Sequence, residues 1–435
     1  MEIKYKVDDA PPPGEFVLYG LQWFAVSIAG IVVIGKVVGG LRLADPITEV
    51  VYLQKLTFVC GSVLLAQVLV GHRLPLIVGP SSVLLVGMIA AAAFGPAKTY
   101  ASITIGGCLL FLTAVTGFFG RLQKLFTPRV VAVVLLLIAF TLMPAVLGLL
   151  ISPESVLPHW RILFSLLLVL CMCAGQRYLP PLLRSAIIFL AMIAGSAAWA
   201  VLFPASGLRW AIRGLPFLSV FFRGFTMKFS VDPGVLLSFL VCFMGLSIND
   251  LGSIESVSVL LDLPDTRQRV NRGVCMTGLA NAASGLFGVI GLVNFSTSPG
   301  VILSTGCASR LTLTLTGVLL VLLAFSPLVL GFVGAVPSVV IGSVLAYILV
   351  FQIAAGLSTM GRQEKAFRVE DGIIVGLPVL LGTAVSMLPA HVLAAFPSVL
   401  RPLIGNGFVV GVLAAFILEH GIYRERRSAL GQGKE

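Results

Sequence analysis

The chain has 435 residues, of which 58% are hydrophobic and only 11% charged, with a mean hydropathy of +1.06 and a net charge of +11. A soluble protein carries about 25% charged residues, so this one cannot solvate a water-facing surface of its size. That excludes a soluble enzyme, a disordered chain and a nucleic-acid binder, and because the apolar residues run from end to end it also excludes a soluble domain on one anchor.

The N-terminal MEIKYKVDDAPPPGE is polar and proline-rich, and the apolar run that follows lacks a small-residue cleavage site, so 16–38 is expected to stay as a first span rather than leave as a signal peptide. Long apolar runs without period-2 alternation indicate helices rather than barrel strands. Breaks at proline, glycine and charge clusters give fourteen candidate segments: 16–38, 49–71, 74–94, 99–120, 130–151, 160–175, 182–203, 233–260, 271–292, 293–305, 310–333, 337–356, 370–390 and 403–422. With the N-terminus inside, most of the 29 basic residues fall on the inner side, although four lie in the outer loop Pro204–Asp232. The bias predicts a multi-pass protein with both termini cytoplasmic, its basic face meeting anionic lipid. Seven cysteines lie inside apolar stretches and four histidines at segment ends, so neither a disulfide framework nor a metal site or other cofactor is expected.

Two segments do not read as ordinary spanning helices. LIVGPSSVLLVG (76–87) and TSPGVILSTG (297–306) share the pattern P-x-x-V/I-L-x-x-G when Pro80 is set on Pro299. Each places an extended stretch (74–78 and 293–296) before a proline and a helix-compatible run. Proline is tolerated in a first helical turn, and a half-helix starting within the membrane aims its N-terminal dipole at whatever lies there. The two are the third and tenth segments, so they are equivalent members of two seven-segment halves of opposite topology. Paired interrupted segments of this kind point to a transporter's substrate site.

The eighth segment holds the one deep carboxylate, Asp250, in FMGLSINDLGSIESVSVLL. A charge at that depth costs roughly 2.5–3.5 kcal/mol on insertion scales, which marks it as functional and as the candidate for proton coupling; structural glue between helices is the alternative. Asn249, Gly252, Ser253 and Ser256 share one helical face, with Asp250 on its flank. The next segment, GVCMTGLANAASGLFGVIG, is rich in small residues that permit close helix approach.

Thr297 to Arg310 resembles the signature of the nucleobase–ascorbate transporter family, in which Gln, Glu or Pro precedes Asn-x-Gly and, after four further residues, Thr before Arg, Lys or Gly. Gly300, Thr305 and Gly306 match, whereas Thr297 and Ser298 stand where Gln/Glu and Asn are usual. Asn249 to Ser253 resembles the family's eighth-segment Glu-x-x-Gly-Asp/His, with Asn249 at the Glu position and Ser253 at the Asp/His position. Tyr19 to Trp23 is similar to its Leu-Gln-His motif, and Gly405 to Glu419 has the family's look.

The resemblance implies an all-α polytopic fold of fourteen segments in 7+7 inverted repeats, with short strands and half-helices in segments 3 and 10. It further implies a core domain from 1–125 and 233–334, a gate domain from 126–232 and 335–435, a homodimer, and elevator-type transport of uracil, xanthine, uric acid or a related base across a bacterial inner membrane, usually with a proton. Carried over by position, Asn249, Ser253, Ser296, Thr297, Ser298, Gly300 and Ser82 would face the base. Asn249 offers a donor and an acceptor to a base edge but cannot take up a proton, which leaves that role to Asp250. The alternatives are an uncoupled facilitator and an anion transporter of the sulfate-transporter fold. The anion reading would want a cation near the half-helix ends, yet no Lys or Arg lies between Arg272 and Arg310. A membrane enzyme lacks a nucleophile, base or metal set.

Overall fold

The structure, a computed structural model, describes residues 3–42, 46–151, 158–203, 214–222, 229–361 and 368–423. Most of the Pro204–Asp232 loop, and the tail from 424 onward, lie outside the described residues.

The elements in order are α1 (Pro13–Arg42), α2 (Pro46–Leu69), β1 (Val78–Pro80), α3 (Ser82–Ala90), α4 (Pro96–Val115), α5 (Phe119–Leu122), α6 (Pro128–Thr141), α7 (Met143–Ile151), α8 (Pro158–Tyr178), α9 (Pro181–Ser185) and α10 (Ile187–Leu202). The second half runs α11 (Pro233–Leu260), α12 (Thr266–Phe287), β2 (Leu292–Asn294), α13 (Ser298–Thr305), α14 (Leu311–Ala324), α15 (Pro327–Gly334), α16 (Ser338–Gly361), α17 (Val369–Ser386), α18 (Ala390–Ala394), α19 (Arg401–Ile404) and α20 (Gly407–Ile417). Proline opens α1, α2, α4, α6, α8 and α11, where its missing N–H would have no intrahelical partner in any case.

Among the described residues, eight helices are long and apolar enough to cross a membrane, or nine with the bent pair α14–α15 counted as one. The other expected segments are assembled from shorter pieces. The stretch expected as one span at 310–333 turns by 99° between α14 and α15, because Pro327 cannot donate back into the preceding turn and starts a new helix instead. Segment 182–203 divides into α9 and α10.

Helices from distant parts of the chain pack into two groups. In one, α4 lies against α12 and α11, and α14 against α1 and α2; in the other, α6 lies against α16, α17 and α20, and α16 against α7 and α8. The small residues read in α12 have a definite use. Gly278 meets the backbone of Phe111, and Gly107 meets the backbone of Asn281 and Ala282, so closely that a Cβ at either would collide with main chain. In the second group Arg161 is fully buried. Its Nε donates to the Leu150 carbonyl at 2.8 Å, and its Nη2 to the Leu149 carbonyl at 3.0 Å and to Ser338 Oγ at 2.6 Å. It thus closes the C-terminal end of α7, where the last carbonyls lack helical partners, and ties it to the start of α16.

β1 and β2 pair antiparallel, with Val78 opposite Asn294, Gly79 opposite Val293 and Pro80 opposite Leu292. The extended stretches therefore sit a few residues from where the sequence puts them, and the matched prolines are not equivalent. Pro80 ends β1, a place where a strand can spare an N–H. Ser81 caps α3 instead, its Oγ accepting from Leu84 N. Pro299 does lie in the first turn of α13. Nor do the glycines correspond: Gly306 ends α13 in the left-handed region (φ 68°), whereas Gly87 packs inside α3 against Phe239 and Cys242.

At the far end of α13 the N-terminal residues form a strap. Lys4 N donates to Gly306 O at 2.8 Å, Tyr5 bridges Cys307, and Arg310 N donates to Val7 O. Arg310 Nη1 also reaches the Val68 carbonyl near the end of α2, so these basic residues share one face of the molecule.

Candidate functional site

The site is built on β2, three residues long and held on both edges. One edge pairs with β1, and the ladder extends through Ser81 N to Gly291 O and Phe295 N to Ile77 O. The other edge is taken by side chains. Asn281 of α12 accepts from Leu292 N at 3.0 Å and donates to Leu292 O at 2.9 Å. Two residues on, Asp250 Oδ1 accepts from Asn294 N at 3.0 Å, and Ser253 Oγ donates to Asn294 O at 3.0 Å. Side-chain amides and carboxylates therefore complete a ladder that would otherwise leave buried backbone groups unpaired.

Asp250 is fully buried and does not share the face of Asn249. Besides the main-chain N–H of Asn294, its Oδ1 accepts from Asn294 Nδ2 at 2.6 Å, and its Oδ2 accepts from Thr277 Oγ1 at 2.8 Å. Thr277 in turn accepts from Gln67 Nε2 at 3.0 Å. Beyond Asn294 lies His72, in the connection between α2 and β1. Its Nδ1 accepts from Leu74 N at 2.9 Å, so Nε2 carries the proton and donates to Asn294 Oδ1 at 3.1 Å. Burial pushes the His72 pKa down to about 3; the Asn294 hydrogen bond acts against this and the charge of Arg269 adds to it. The ring is neutral.

The residues expected at the substrate divide into two sets. Ser253 and Ser298 are fully buried and committed to backbone. Ser253 donates to the carbonyls of Asn249 and Asn294, while Ser298 donates to Phe295 O and accepts from Ile77 N. They fasten the crossing, a use their position in the motif does not reveal. Asn249, Ser82, Ser296 and Thr297 form the other set. No side-chain hydrogen bond to a described residue occupies any of them. Asn249 is the informative member: the residue is only 8% exposed, yet its carboxamide bonds no described residue and is not among the sealed-off polar atoms, so it stays open to a ligand. Ser82 is half-buried, whereas Ser296, Thr297 and Gly300 are exposed. Gly252, one turn from Asn249, and Gly300 both look onto open space. α11, which carries Asn249, packs against α3, β2 and α13, so the free polar groups are borne by elements that meet at the strand crossing. Among the described residues no group of three or more His, Cys, Asp or Glu could hold a metal.

Asn294, Thr277, His72 and Gln67 are the residues that sequence reading passes over. Asn294 carried a signal, as the single amide in the apolar run Val289–Phe295.

Apolar helices of spanning length around interrupted segments, with an unpartnered polar side chain beside the crossing, define a polytopic membrane transporter. The chain belongs to the nucleobase–ascorbate transporter family: residues 14–391 match the xanthine/uracil permease model, described as "Permease family". It is 26% identical over 430 residues to the xanthine permease of Bacillus subtilis (strain 168), covering 93% of each chain, and 26% identical over 416 residues to the uric acid permease PucJ of the same organism, covering 92% of this chain and 90% of that one. Among solved structures, the transmembrane domain of the cyanobacterial bicarbonate transporter BicA shares the fold, with a TM-score of 0.62 at 15% identity over 85% of this chain and 95% of that one. Murine Slc26a9 in the inward-facing state has a TM-score of 0.56 at 15% identity, covering 95% of this chain and 69% of that one.

Proposed function

We propose that this protein is a nucleobase permease for xanthine, uric acid, uracil or a related base, which binds at the strand crossing against Asn249. The observation that carries this reading is the Asn249 carboxamide, which sits on a buried residue of α11, bonds no described residue and is not sealed off from open space. A planar base edge offers the alternating donors and acceptors that satisfy such a group. Ser82, Ser296 and Thr297 supply hydroxyls around it, and the backbone at Gly300 leaves room for a ring. The names of the relatives support the substrate class. The transport cycle we assign is of the elevator type, in a fold of fourteen segments arranged as 7+7 inverted repeats. A core of 1–125 and 233–334 moves against a gate of 126–232 and 335–435, as a homodimer in the cell inner membrane with both termini cytoplasmic. Uptake is coupled to protons, with Asp250 as the coupling group.

An anion carrier is the competing reading, supported by the dipole ends of α3 and α13 and the absence of a carboxylate among the free polar groups. Uptake into proteoliposomes separates the two. Labelled xanthine, uric acid or uracil enters and is competed by unlabelled base but not by bicarbonate or sulfate. Uptake of the anions with no nucleobase transported would overturn the proposal.

A further inference from the structure

We infer that Thr277 and Asn294 form, with Asp250, a unit that takes up the transported proton at Asp250 Oδ2 and passes the change of charge through β2 to the substrate side chains. This rests on the reading of the protein as a nucleobase permease and specifies how its site is regulated.

The two carboxylate oxygens are held differently. Oδ1 accepts two N–H groups from Asn294, neither of which can become an acceptor. Oδ2 accepts only the Thr277 hydroxyl, at 2.8 Å, and a hydroxyl can reverse. When a proton from water reaches Oδ2, one O–H bond forms and the carboxylate becomes a neutral acid. That acid donates to Thr277 Oγ1, whose own hydrogen turns to the preceding turn of α12, as a helical threonine's can. Gln67 Nε2 keeps its bond to Thr277 and to the Gly273 carbonyl throughout. No other bond is made or broken, and release of the proton restores the starting arrangement.

The readout is equally specific. Asn294 is the end of β2, and its backbone N–H, its carbonyl and both ends of its side chain are bonded to Asp250, Ser253 and His72. Phe295, Ser296 and Thr297 follow directly. A hydrogen bond to an ionised group is roughly twice as strong as one to a neutral group, so neutralising Asp250 loosens both bonds that set the end of the strand. Ser296 and Thr297 are then free to shift, and Asn249, one residue before Asp250 on α11, lies on the same helix.

The charged and titratable groups on the surrounding elements leave the task to Asp250. β2 carries none. α12 carries Arg267, Arg269, Arg272 and Cys275, of which Arg269 donates to the carbonyls of His72 and Arg73. In the α2–β1 connection Arg73 is exposed and bonds Leu69 O, while His72 reaches the unit only through Asn294, as a neutral donor. On α11 itself Cys242 is buried two turns away, and Glu255 bonds Gln123 at 3.4 Å.

Proteoliposomes with an imposed pH gradient test the proposal. For the native protein, an acidic outer bath is expected to drive nucleobase accumulation above the equilibrium level. Asp250→Asn is expected to lose gradient-driven accumulation, with whatever uptake rate remains nearly flat between pH 5 and 8. Thr277→Val should shift the pH at half-maximal uptake by at least about half a unit, and Thr277→Ser, which keeps the hydroxyl, should restore the native profile. Gradient-driven accumulation by Asp250→Asn equal to that of the native protein would overturn the proposal, as would identical profiles for the Val and Ser variants. Should Asp250→Asn fail to fold, the Thr277 pair decides alone. Exchange of nucleobase by the native protein without any response to the gradient refutes the proton unit and leaves the permease reading standing. Absence of any nucleobase transport refutes both.

Discussion

Replacing Asn294 by alanine removes one side chain, takes one of the three hydrogen bonds from Asp250 and strands His72. The backbone N–H of residue 294 still reaches Asp250 Oδ1, but the 2.6 Å bond from Nδ2 is lost, and His72 Nε2 loses its acceptor at 3.1 Å. A hydrogen bond to a charged group contributes about 1.5–3 kcal/mol, and a buried donor left without a partner costs about 1–3 kcal/mol. The expected destabilisation is therefore roughly 2.5–6 kcal/mol, large for a single polar residue. Asn294 and Asp250 share a bond, so their effects cannot add. The double variant Asn294→Ala/Asp250→Ala should be less destabilised than the sum of the singles, with a coupling of about 1–3 kcal/mol. The assay is a double-mutant cycle on unfolding of the purified protein in one detergent, read by melting temperature and by denaturant midpoint. If Asn294→Ala melts with the native protein, or if the two substitutions are additive, Asn294 does not anchor β2 through Asp250 and the argument for the crossing fails.

Acid should destabilise the protein through His72. Its folded pKa of about 3 lies below the ordinary value of 6.5, so the unfolded chain binds the extra proton and stability falls as pH drops through 6.5 toward 3, by up to about 1.4 kcal/mol per unit; melting curves for His72→Gln should be flatter over that window. Arg161→Ala strands the carbonyls of Leu149 and Leu150, at about 1–3 kcal/mol each, and should lower the melting temperature by several degrees. Gly278→Val drives a branched side chain into the backbone at Phe111 and should abolish the folded, monodisperse protein on size-exclusion chromatography, whereas Gly252→Ala, which faces open space, should fold normally.

The membrane class, and the interruption of two apolar segments by an extended stretch and a short helix, could be read from composition, proline and glycine. Asp250 could be singled out because a charge among apolar residues is costly wherever it lies. What could not be read is what each polar group bonds to. Asn294 and His72 are 222 residues apart, and Ser298 and Ile77 are 221 apart; no local period links them. For that reason nothing in the local sequence shows that the Ser253 and Ser298 hydroxyls hold backbone, or that His72, set at a segment end, is fully buried. The same limit misplaced the strands. A proline reads alike at the end of a strand and in the first turn of a helix, and only the Ser81 cap and the pairing of Pro80 with Leu292 separate the two. The bend at Pro327 was missed because the apolar run continues through it.

The central claim is that a nucleobase occupies the strand crossing, and thiol protection tests it most directly. Cys108, Cys171 and Cys173 are exposed and would first be replaced by serine. Thr297→Cys and, separately, Ser296→Cys would then be introduced and labelled with a water-soluble maleimide, with and without xanthine, uric acid or uracil. The account predicts that at least one of these bases slows labelling at both positions severalfold, that bicarbonate and sulfate do not, and that Asn249→Ala abolishes the protection. Labelling unaffected by any base, or protection that survives Asn249→Ala unchanged, would contradict it.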